Sequence, residues 1–92
     1  MPILVDWNHP DFQSRFLNLE KQEILQVLKT VRKLLQMEWE QVYQDKGLNW
    51  EYVSQSNLYS LRASQKMRIL AHRDGEWMRL LSIHPDHDSA YE

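Results

Sequence analysis

Between Leu58 and Tyr91 lie most of the residues able to do chemistry: Arg62, Lys66, Arg68 and Arg79, then His84, His87 and a penultimate Tyr91. Basic groups on one sheet face, beside histidine and tyrosine, suit RNA cleavage without a metal. That reaction needs a base for the 2′-OH proton, cations for the charge growing on phosphorus, and an acid for the leaving 5′-oxygen. Strand alternation puts Arg62 and Lys66 on one face, where they would bind flanking phosphates. His84 is a candidate acid or base, because a small shift brings an imidazole to neutrality, and His87 is its substitute. The last strand leaves a choice open. Trp77, Arg79, Leu81 and Ile83 fall on one face, and Met78, Leu80, Ser82 and His84 on the other. Both sets are apolar enough to be core, so Arg79 and His84 compete for the groove.

His84, Asp86, His87 and Asp88 also offer ligands for Zn²⁺ or Mn²⁺. Ordering such a tail costs about 1–2 kcal/mol per residue, so neither a metal nor another cofactor is expected.

The elements that must position these groups follow from periodicity. Ile3 to Val5 reads as a first strand. Asn8-His9-Pro10-Asp11 reads as a helix start, and Asn18 as the cap of a second helix. In that second helix Ile24, Leu28, Val31 and Leu35 form an apolar stripe, widened by Val27 and Leu34, ending near Met37. A third helix from Trp39 to Asp45 is expected, with Gly47 as its C-cap. Strands follow over Leu48–Val53, Leu58–Ser64, Met67–Arg73 and Trp77–His84, with Asp74-Gly75 as a hairpin turn. The expected fold is α+β: an N-terminal strand and helices packed on one face of a four-stranded antiparallel sheet. Trp39, Trp50, Trp77 and Tyr59 read as core, and Trp7 and Phe12 as an exposed surface for a partner.

Ninety-two residues suit a single domain, residues 1–92. No run approaches the roughly 20 apolar residues of a membrane span, and no leader pattern is seen, so a cytoplasmic location is expected. The absence of cysteine excludes disulfides and thiolate metal sites. Net charge is −2, unevenly spread. Residues 1–56 carry 6 Lys/Arg against 8 Asp/Glu, residues 57–84 carry 5 against 2, and residues 85–92 carry 0 against 3. The positive charge therefore sits on the expected strands, where a local patch can hold phosphate.

This order of elements resembles the RelE/ParE superfamily of bacterial toxins over most of the chain. Ser60-Leu61-Arg62 followed by Lys66-Met67-Arg68-Ile69-Leu70 looks like that family's paired strands. The run Trp39 to Gly47 leading into Asn49-Trp50-Glu51 looks like its helix-to-sheet passage. The resemblance implies a toxin neutralised by a co-encoded antitoxin. RelE-like members cut mRNA in the ribosomal A site without metal; ParE-like members inhibit DNA gyrase. Arg68 matches the catalytic strand arginine and would grip the scissile phosphate in bidentate fashion. Glu51 lies near one branch's catalytic glutamate. Tyr91 falls where the family often has a C-terminal aromatic that stacks on a base or aids proton transfer. The implied function is a ribosome-dependent, metal-independent mRNA endoribonuclease (an mRNA interferase) that inhibits translation. The alternatives are a non-enzymatic gyrase inhibitor and a non-toxic protein-binding relative. The chain departs from the ribosome-dependent branch in being slightly acidic, since RNA affinity rises with each phosphate neutralised.

Overall fold

In the computed structural model, which describes residues 1–54 and 57–85, the elements run in the order β1 (Leu4–Asp6), α1 (Pro10–Leu17), α2 (Lys21–Leu34), α3 (Trp39–Val42), β2 (Glu51–Ser54), β3 (Leu58–Arg62), β4 (Arg68–Asp74) and β5 (Trp77–His84). The class is α+β, as its periodicities require. The sheet corrects the expectation of four antiparallel strands: it is five-stranded and mixed, in the order β1-β5-β4-β3-β2. The β2–β5 meander is antiparallel, and β1 adds to its far edge in parallel with β5, Val5 opposite Met78. Parallel partners need a long crossover; here the chain between β1 and β5 supplies it. Among the described residues, no helix is long and apolar enough to cross a membrane.

Helix α2 carries two overlapping apolar stripes, and only one can face the sheet. Val27, Val31 and Leu34 are buried, whereas Leu28 and Leu35 of the expected stripe are 40% and 58% exposed. Thr30 takes the intervening core position because its Oγ1 donates to the Gln26 carbonyl, which satisfies the hydroxyl within the helix. Asn18 ends α1 rather than starting α2. Glu20 caps α2 instead, through a capping box in which its backbone N–H donates to Glu23 at 2.9 Å.

Helix α3 is shorter than expected. It ends at Tyr43 because Asp45 closes the following turn, accepting from the Leu48 N–H at 2.9 Å and pairing with Lys33 at 3.0 Å. Leu48 is buried as a loop residue, and Asn49 takes the left-handed conformation (φ 48°) before β2 begins. Gly47 therefore caps nothing.

The hairpin turn is Gly75-Glu76, flanked by the Asp74–Trp77 pair, one residue later than expected. Gly75 has φ +61° and is followed by a residue at negative φ, the type II′ pattern that matches strand twist. The core lies between the helices and one sheet face, which buries Leu61, Ile69, Ala71, Met78, Leu80 and Ile83 completely. Each such side chain is worth roughly 1.5–3 kcal/mol on burial, alanine less. Trp39 joins that core, and Trp50 and Tyr59 stack beside it with centroids 4.6 Å apart. Trp77 does not: it lies on the opposite face, 41% exposed, opposite Leu4 of β1.

Candidate functional site

A bulge decides which residues share the open face. Leu70 pairs with Ser82 but Ala71 pairs with Leu80, so Leu81 is an extra residue in β5. On one side of the bulge Met78 and Leu80 point into the core; on the other, Ile83 does. The phase change puts Arg79 and His84 on the same outward face, where strict alternation had made them competitors. They sit opposite His72 and Arg68, which lie four residues apart along β4. Rise per residue puts about 13 Å between those two positions.

The row through Arg68 is the chemically dense one. Arg62 pairs with Arg68 across β3 and β4, and Arg68 pairs with His84 across β4 and β5. Three strands therefore bring the Cα positions of two arginines and a histidine into a line about 10 Å long. The next row holds Glu51, Ser60, Leu70 and Ser82, so Glu51 stands diagonally from Arg62.

Arg68 is only 4% exposed. Its Nη1 donates to the carbonyls of Ser64, Gln65 and Met67 at 3.2–3.3 Å, which ties down the turn between β3 and β4. Ser64 closes the same turn by accepting the Met67 N–H at 3.0 Å, and the Met67 side chain enters the core. This closure corrects the placement of Lys66. It lies exposed in the turn, not on a strand, because pairing resumes only at Arg68.

Both arginine Nε atoms of the row, in Arg62 and Arg68, are buried without an acceptor among the described residues. Like charges as direct cross-strand partners destabilise a sheet, and a buried unpaired donor adds its desolvation cost. An anion bound at this pair would offset both costs.

His84 sits at the row's other end, with Nε2 2.9 Å from Ser82 Oγ. Partial burial, then the positive charge of Arg15, hold its pKa below the ordinary imidazole value, against a smaller upward pull from Asp11. Arg15 is fixed there by Asp11 at 3.0 Å and by the Ile83 carbonyl at 3.4 Å. At neutral pH His84 is therefore a base, not an acid. The folded value lies below the unfolded one, so its contribution to stability is complete above about pH 6.5 and lost as pH falls through the folded value. Between pH 7.5 and 5 the melting temperature of the wild type is expected to fall more than that of His84→Gln; equal losses would contradict this environment.

Arg79 is placed differently. It pairs with Asp6 and, at 3.2 Å, with Asp74, and its charge is spent there. Arg73 faces the helices, 4.1 Å above the Trp39 ring, and donates to the Tyr43 hydroxyl. The cations of the strand region thus reduce to Arg62, Lys66 and Arg68. Tyr91 and His87 lie outside the described residues, as does most of the His84–Asp88 cluster. Sequence reasoning put Ser82 on the face of His84 but gave it no role, and it missed Arg15 as a neighbour. The serine was legible because Ser-x-His on one strand shares a face; Arg15 comes from α1 and left no such signal.

Comparison with protein-family models, with curated proteins and with solved structures finds no match to this chain.

Proposed function

We propose that the chain is a RelE-like toxin, an endoribonuclease that cuts mRNA on the ribosome without a metal and is neutralised by a cognate antitoxin. The observation that carries this reading is the single cross-strand row of Arg62, Arg68 and His84, in which neither arginine Nε has an acceptor among the described residues. The reaction needs such a row. Neutral His84 accepts the 2′-OH proton as the 2′-oxygen forms a bond to phosphorus. The bond from phosphorus to the 5′-oxygen breaks, leaving a 2′,3′-cyclic phosphate and a 5′-hydroxyl. Arg68 stabilises the charge on the non-bridging oxygens, a role worth about 10²–10³ in rate, and Arg62 holds a flanking phosphate. Glu51, one row away, is the alternative base, and Tyr91 the candidate proton donor to the leaving oxygen. Lys66, in the turn beside Arg68, meets a flanking phosphate.

The competing reading is inhibition of DNA gyrase by a chain of the same fold. Pulsed expression in bacteria separates the two. The nuclease reading expects amino-acid incorporation to stop while plasmid supercoiling stays normal. Relaxed plasmid with translation still running would replace it with the gyrase reading.

A further inference from the structure

A second cationic feature lies on the other side of the turn that Arg68 anchors. Between α2 and this turn runs an open cleft of about 420 Å³, lined by Lys33, Arg62, Ser64 and Gln65 among others. It adjoins a second recess of about 500 Å³ that shares Lys33 and Ser64 and adds Lys29. Arg62 thus belongs to both places: cross-strand pairing sets it opposite Arg68, and it also lines the cleft.

The charges here are arranged against stability. Lys29 and Lys33 are a like-charge i,i+4 pair on α2, and Arg62 and Arg68 are a like-charge cross-strand pair. Of these four cations, Lys33 pairs with the Asp45 carboxylate at 3.0 Å. Asp45 also accepts the Leu48 N–H, so Lys33 is held at the cleft mouth by a fixed turn. Hydroxyl chemistry fits as well. Ser64 Oγ accepts from Met67 and keeps its own proton to donate.

We infer that this cleft is a second phosphate subsite, which holds the backbone of single-stranded RNA as it leaves the Arg62–Arg68 row toward α2. The inference rests on the RNA-cleaving reading of the sheet face and adds the path of the strand. Arg62 is the shared point: it contacts the phosphate next to the cleavage site, and Lys29 with Lys33 contacts those beyond. A chain of net charge −2 can then bind a polyanion through one continuous track and needs no general excess of charge.

The test is a salt titration of binding to a fluorescent single-stranded RNA whose 2′-hydroxyls are methylated, so that it cannot be cut. Wild type, Lys29→Gln, Arg62→Gln and Lys21→Gln are compared, with circular dichroism to confirm folding. Lys29 and Lys21 are both exposed on α2 and neither is paired among the described residues, so Lys21 controls for charge alone. For Lys29→Gln the slope of log affinity against log salt is expected to shrink by about 0.7, one phosphate contact on a single strand. Lys21→Gln should leave the slope unchanged. A Lys29→Gln slope equal to wild type, with Arg62→Gln reduced, would overturn the subsite and leave the row standing. A shrunken Lys29→Gln slope in a protein that leaves mRNA intact in a translating extract would support the subsite and remove the nuclease reading. No RNA binding by the wild type would overturn the subsite.

Discussion

Arg68→Lys is expected to slow RNA cleavage by about 10²–10³-fold while the protein remains folded. Lysine keeps the positive charge, and its ammonium can still reach the turn carbonyls that Nη1 serves. It loses the planar fork, and with it the Nε–H that has no acceptor among the described residues. The loss should appear in the maximal rate more than in RNA affinity, because Arg62 and Lys66 still hold the backbone. Arg68→Ala removes the turn contacts as well, and is expected to cost about 2 kcal/mol of stability on top of the activity. Single-turnover cleavage with thermal melting separates the two effects. A lysine variant as active as wild type would make Arg68 only a clamp on the turn.

Trp39→Ala is expected to give the largest loss of stability, about 3–5 kcal/mol. The side chain is 1% exposed and donates its indole N–H to the Glu76 carbonyl at 2.9 Å. It also meets Trp50 edge-on at 5.5 Å and carries the Arg73 guanidinium on its face. One residue therefore joins α3, the β4–β5 hairpin and the aromatic stack before β2. A domain this small has roughly 5–15 kcal/mol in total, so the melting temperature should fall by more than about 15 °C. Trp39→Phe, which keeps part of the volume, should lose less than half as much. If Trp39→Ala melted within a few degrees of wild type, the hairpin would be held by contacts other than this one.

How much of this was legible in the sequence depended on the range of the interaction. The strands around Arg68–Asp74 and Trp77–His84 were readable because alternation and the Asp-Gly pair are local signals. The rotation of α2 was not, because Leu28 and Val27 belong to rival stripes and only the sheet chooses between them. The place of β1 was also hidden. It pairs with β5 across most of the chain, and three residues carry no mark of a distant parallel partner. For the site, the residue types were right but their assembly was not derivable. Arg62 and Arg68 align through a turn closed by Ser64 and Met67, which removed Lys66 from the sheet. His84 joins them only because Leu81 is looped out, and no pattern of apolar residues announces a bulge.

The most direct measurement is mapping of mRNA 5′ ends in a bacterial translation extract, with wild-type protein and the Arg68→Lys variant side by side. The account predicts cuts inside translated codons that vanish without ribosomes and are nearly lost in the variant. Intact mRNA with folded wild-type protein would contradict it, as would cuts that persist unchanged with Arg68→Lys.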